Sequence, residues 1–150
     1  MTLSQKEQEL LKDFQTQEKL CVDKYNKHAE CAVDPQLKEM FSKIAQTEQQ
    51  HLNCINSIIN GTVPQNGGGN KPQPSFKAFH SFADTPDKKT DCYLCTDLLT
   101  TEKHASQLYD TCIFEFSDEN ARRVLNQIQT DEQNHGKMIY DYMQANSMYA

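Results

Sequence analysis

The sequence predicts an all-α protein: a four-helix bundle made of two duplicated helical hairpins joined by one long crossover. Three observations predict it. Apolar residues recur at three- and four-residue steps in four separate segments, the period of a helix that buries one face. The two halves of the chain align without a gap at an offset of 84: Glu18-Lys19 with Glu102-Lys103, Tyr25 with Tyr109, Asp34 with Asp118, Ile44 with Ile128, Glu48-Gln49 with Glu132-Gln133, His51 with His135 and Ile55 with Ile139. Between the halves, residues 61–90 hold four of the five prolines and four of the five glycines and show no helical period.

In the first helix Leu10, Leu11, Phe14, Cys21, Val22 and Tyr25 form the stripe. The run CAVDPQ interrupts it. Asp34 is a natural N-cap there, and Pro35 suits the first helical position. The second stripe is Leu37, Phe41, Ile44, Leu52, Ile55, Ile58 and Ile59, closed by Asn60-Gly61. Leu94, Leu98, Ala105, Tyr109, Cys112 and Phe116 make the third. Ser117 or Asp118 caps the fourth, striped by Ala121, Leu125, Ile128, Ile139 and Met143. The expected organisation is one domain over residues 1–150, with a hairpin at 4–60, a crossover linker at 61–90 and a hairpin at 91–147. Phe76, Phe79 and Phe82 are available to order part of the linker, and His80 within it carries no inference.

The 150 residues suffice for one compact domain with a sizeable core. A net charge of −6 and a pI near 5.3 argue against nucleic acid or an anionic membrane as partner. No apolar run is long enough to span a bilayer. The N-terminal MTLSQKEQELLKD lacks the basic-then-apolar order of a signal peptide, so the chain is expected to be made in the cytosol and not exported by the usual route. Six cysteines, at 21, 31, 54, 92, 95 and 112, leave the disulfide pairing open.

Alternating steps of four and three define the inward seam of each helix: Phe14, Glu18, Cys21, Tyr25; Leu37, Phe41, Ile44, Glu48, His51, Ile55; Leu98, Glu102, Ala105, Tyr109, Cys112; and Ala121, Leu125, Ile128, Glu132, His135, Ile139. Each apolar stripe is interrupted by a glutamate or by Glu-x-x-His. Residues equidistant from a hairpin turn lie level. Glu18 and Glu48 are centred on residue 33, Glu102 and Glu132 on residue 117, both within turns. All four glutamates are therefore expected at mid-bundle, each histidine about 4.5 Å further along its helix. Four carboxylates cannot stay ionised together in a core without compensation. Two cations remove the difficulty, and one Glu from each of two helices plus Glu-x-x-His from the other two is the dinuclear carboxylate arrangement. The expected metal ligands are Glu18, Glu48, His51, Glu102, Glu132 and His135, holding two iron or manganese ions; the donor set suits both elements. The alternative is a polar core that binds nothing.

With these residues in place, the chain resembles the ferritin-like superfamily, which includes ferritins, rubrerythrins, bacterial multicomponent monooxygenases and manganese catalases. The resemblance covers residues 8–146 apart from the linker. It implies Glu18 and Glu102 as lone-helix ligands, Glu48 with His51 and Glu132 with His135 as paired ligands, and redox chemistry on peroxide or dioxygen. It also accounts for one long crossover. The segments QEKLCVDKYNKHAECAVDPQLKEMFSKIAQTEQQHLNCINSIING and TTEKHASQLYDTCIFEFSDENARRVLNQIQTDEQNHGKMIYDYMQ resemble the spore-coat Coat F family. That resemblance implies deposition in the spore coat, with other coat proteins or further copies of the chain as partners. A purely structural, cysteine-crosslinked coat component is the alternative. Iron storage in a shell is weaker, because the sequence carries no sign of a cage.

Three smaller readings stay open. Tyr25 and Tyr109 are core packing or redox residues beside the centre, the only catalytic candidates. His28 and His104 belong at the surface or behind the ligands. Cys92-x-x-Cys95 is one pair where a rubredoxin-type site needs two, so it is a redox disulfide, a crosslink or two unlinked thiols.

Overall fold

A computed structural model describes residues 1–65, 78 and 84–149. Four helices, α1 (Gln5–Cys31), α2 (Pro35–Ile59), α3 (Pro86–Ile113) and α4 (Glu119–Ala145), pack as a four-helix bundle, and no strand is present among the described residues. Each helix begins on a side-chain cap that satisfies an otherwise orphaned N–H. Ser4 and Glu7 form a reciprocal capping box on α1. Asp34 accepts from Gln36 N on α2, Thr85 from Lys88 N on α3, and Asp118 from Ala121 N on α4. Among the described residues no helix is long and apolar enough to cross a membrane.

Two boundaries differ from the sequence expectation. The third helix starts at Pro86 rather than at 91, because Thr85 caps it and Pro86 occupies its first turn; the proline that reads as loop composition is a helix-start residue. Phe116 is buried but lies beyond the end of α3, in the turn before α4. Phe76, Phe79, His80 and Phe82 lie outside the described residues.

Helix α1 packs along α2 and α3 along α4, and α1–α3 and α2–α4 contacts close the bundle. Every seam residue named above is buried. The apolar ones other than Cys21 and Ala105 fall into two clusters. One contains Tyr25, Phe41, Leu98 and Ile139; the other contains Phe14, Ile55, Tyr109 and Leu125. The seam glutamates and histidines lie between these clusters in sequence on all four helices, so the core is two oily ends around a polar waist.

Each hairpin turn is held by an acid from the other hairpin. Glu7 accepts from Ser117 N at 3.0 Å. Asp91, fully buried, accepts from Val33 N at 2.8 Å and Asp34 N at 2.9 Å. Positions 7 and 91, and 33 and 117, are related by the same offset of 84. The repeat is thus a structural pseudo-twofold, and these clamps put the N-terminus of α3 beside that of α2. The segment joining α2 to α3 therefore connects opposite ends of the bundle.

Burial alone would raise the Glu7 carboxyl, but hydrogen bonds from Ser4 and Ser117 outweigh it and hold the group below its ordinary value of 4.5. A lowered folded pKa gives stability that is present above the unfolded value and lost as pH falls through the folded one. We predict that Glu7→Gln destabilises the protein by about 1–2 kcal/mol at neutral pH. Urea unfolding across pH should show the gap with wild type shrinking in acid below 4.5; a gap that widens there would contradict the clamp.

Candidate metal centre

The waist brings together all six residues that the sequence marks as ligands. Glu18, Glu48, His51 and Glu132 form one group and Glu48, Glu102, Glu132 and His135 a second, each with its donor atoms within 4.8 Å of one another. Glu48 and Glu132 belong to both groups, so each has an oxygen that could serve either. Glu18 and Glu102 each belong to one. All six are at most 4 % exposed.

The imidazoles face inward through the same atom. His51 Nδ1 lies 3.2 Å from Glu48 Oε2 and 3.2 Å from Glu132 Oε1. His135 Nδ1 lies 3.1 Å from Glu48 Oε1 and 3.3 Å from Glu102 Oε1. The ring centroids sit 6.1 Å apart with the planes inclined at 27°.

Outer groups orient this set. Tyr109 donates to Glu18 Oε1 at 2.6 Å, and Tyr25 donates to Glu102 Oε1. The two bonds are exchanged by the pseudo-twofold. Each tyrosine fixes one oxygen of a lone glutamate and leaves the other, Oε2, buried with no hydrogen bond from a described residue; Glu132 Oε2 is in the same state, and Glu132 Oε1 has only His51 Nδ1, at 3.2 Å. Behind the tyrosines, Phe14 stacks on Tyr109 at 4.3 Å and Phe41 meets Tyr25 edge-on at 6.0 Å, so neither phenol can rotate freely.

Electrostatics express the crowding. Burial pushes Glu18, Glu102 and Glu132 well above the ordinary carboxylate value, with the charges of neighbouring glutamates adding to it. Burial opposes ionisation of Glu48 too, yet hydrogen bonds from His135 and His51 outweigh it and hold that carboxyl well below. His51 is raised well above its ordinary value: Asp131, Glu132 and Glu48 around it overcome burial. Without cations the waist shares a few protons among many oxygens.

Asp131 is the residue that sequence reasoning missed. Its Oδ2 lies 2.8 Å from His51 Nε2, fixing the ring and freeing Nδ1 for the centre. The signal was an acid directly before Glu132; the repeat places Thr47 at the equivalent position, so the two histidines are not equivalent. His28 takes part elsewhere, pairing with Asp97 at 2.7 Å, and His104 is exposed. All six cysteines are free thiols.

Removing the Tyr109 hydroxyl would leave Glu18 Oε1 buried and unpaired. Tyr109→Phe is expected to cost about 1–3 kcal/mol in metal-free protein, measured by urea unfolding, and Tyr25→Phe should act in the same direction through Glu102. No loss in either variant would mean these hydrogen bonds do not hold the carboxylates.

No curated protein and no solved structure matches the chain. The family model described as the Coat F domain matches residues 90–150, which take in the second of the two segments where the sequence resembles that family. The hairpin of α3 and α4, carrying Glu102, Glu132 and His135, is thus a match to the Coat F domain, and this supports the Coat F family for the chain.

Proposed function

We propose that the protein is a spore coat-associated, ferritin-like protein with a dinuclear metal–carboxylate centre held by Glu18, Glu48, His51, Glu102, Glu132 and His135. One observation carries the reading: two overlapping groups of possible ligands, buried in an oily core, with Glu18 Oε2, Glu102 Oε2 and Glu132 Oε2 given no hydrogen bond by any described residue. Such atoms cost free energy unless something positive lies between them. The donor set fits the group, since carboxylate oxygen and imidazole nitrogen suit iron and manganese. The Coat F match supports the spore coat as location, with other coat proteins or further copies of the chain as partners.

Bound iron or manganese would supply reversible one-electron chemistry towards peroxide or dioxygen. The chain's own contribution is positional. Glu48 and Glu132 reach both positions, Asp131 orients His51, and the apolar clusters keep water from the waist. Tyr25 and Tyr109 are the candidate redox residues. Each phenol touches a carboxylate that can take its proton, the condition for a tyrosine to give up an electron without leaving a buried charge.

The test is reconstitution with ferrous or manganous salt. Close to two ions per chain are expected, and metal content well under one per chain would defeat the reading. Glu48→Ala should lose metal at both positions and lower the melting temperature of the loaded form only; equal shifts with and without metal would contradict a bridging role. Asp131→Asn should weaken metal binding about 10–100-fold, read by chelator competition.

A second reading, a crosslinked structural coat component, is favoured by Cys31, an exposed thiol at the end of α1. Non-reducing gels of extracted coat material should show a ladder that Cys31→Ser removes. Monomer alone, reduced or not, would exclude it.

A further inference from the structure

Cys92 and Cys95 stand one turn apart on α3 and take no part in the carboxylate centre. The repeat does not require them, since the equivalent positions are Gln8 and Leu11. Sulfur accumulates around them. Cys95, Met40 and Met143 belong to one apolar cluster, and Cys92, Met138 and Met148 pack against it. Four of the five methionines of the chain are therefore at one end of the bundle.

The end of α4 brings Met148 there. Asn146 is the C-cap and Ser147 adopts φ 54. Ser147 N–H donates to Gln144 O at 3.2 Å and Met148 N–H to Met143 O at 2.8 Å. This double bond pattern is a Schellman closure, which folds the residue after the left-handed one back onto the helix. Helix α2 ends the same way, but with Gly61 at φ 85. A serine in that region costs about 1 kcal/mol more than glycine, and here it turns Met148 towards Cys92, whose Sγ lies 3.7 Å from Met148 O. A cleft of about 550 Å³, with Cys92, Ser147 and Met148 in its lining, opens at this point. Cys92 is half-buried and Cys95 fully buried.

We propose that Cys92, Cys95 and the Met148 thioether form a binding site for a soft monovalent cation, copper(I), reached through this cleft. Thiolate and thioether donors select such an ion, whereas the hard oxygens of the waist do not compete for it. Each thiol gives up one proton as its sulfur binds, and no electron moves. Burial holds the Cys95 thiol well above its ordinary value, so it keeps its proton until a cation takes its place. The site is independent of the carboxylate centre: Cys95 and Glu102 are seven residues apart on one helix, about 10 Å along the axis.

The test uses the reduced full-length protein under anaerobic conditions, titrated with copper(I) against bathocuproine disulfonate. The double variant Cys31→Ser/Cys54→Ser lacks the two other thiols that are not buried, and should keep one tightly held copper per chain. In that background Cys92→Ser and Cys95→Ala should each weaken binding about 100-fold or more, and Met148→Leu about 10-fold with an unchanged melting temperature. Alanine at 95 avoids burying a hydroxyl, so loss of binding is separable from loss of fold. Glu48→Ala should bind copper(I) as wild type does, so failure of the carboxylate centre and failure of this site read out separately. Copper affinity that is unchanged in Cys92→Ser and Cys95→Ala would overturn the proposal. So would reduced protein that takes up no copper(I) while air converts the pair to a disulfide.

Discussion

The bundle is organised around the free energy of holding four carboxyl groups and two imidazoles in an apolar interior. Each of these groups would be cheaper in water, by several kcal/mol for a charged one. They stay inside because the helices present them at one level, where the oxygens, the ring nitrogens and a small set of outer groups satisfy part of each other's demand. Tyr25 and Tyr109 take one oxygen each, and Asp131 takes one ring nitrogen. What they leave unsatisfied is concentrated at Glu18 Oε2, Glu102 Oε2 and Glu132 Oε2. The unmet demand faces inward, where a cation would meet it.

The pseudo-twofold makes that convergence reproducible. Two helical hairpins of the same pattern each contribute a lone glutamate and a Glu-x-x-His pair, and each offers a tyrosine to the other's lone glutamate. The clamps from Glu7 to the α3–α4 turn and from Asp91 to the α1–α2 turn set the hairpins' relative height. A slip of one turn between hairpins would shift the glutamates by about 5.4 Å, enough to separate the two ligand groups. The acids at the ends of the bundle and the acids at its middle therefore belong to one arrangement.

Where the halves differ, their chemistry differs. Asp131 stands behind His51 and Thr47 occupies the equivalent place in the other half, so one side of the waist has an acid that the other lacks. Lys24 bonds Asp97 at 3.1 Å and Thr101 at 3.0 Å, and His28 bonds the same aspartate. The repeat equivalents of Lys24 and His28 are Leu108 and Cys112, which cannot form such a network. Cys92, Cys95 and four of the five methionines lie at the end where α3 begins and α4 closes, whereas Gln8 and Leu11 stand at the repeat equivalents of the two cysteines. A duplicated frame leaves each half free to vary at positions outside the shared seam.

Periodicity and the offset of 84 by themselves determined the four helices, the inward seam and the level of the glutamates, because helical rise and hairpin symmetry are local geometry repeated along the chain. They determined which residues could meet. The cap at Asp34 was readable for the same reason, the α4 cap only as Ser117 or Asp118, and the start of α3 was obscured because Pro86 serves a loop and a helix start equally well. Tertiary structure alone decided what stands behind the seam. That Glu48 and Glu132 reach both ligand groups, that each tyrosine crosses to the opposite hairpin, that Asp131 reaches His51 and that Ser147 turns Met148 towards Cys92 all depend on distances between helices, which no spacing along one chain segment encodes.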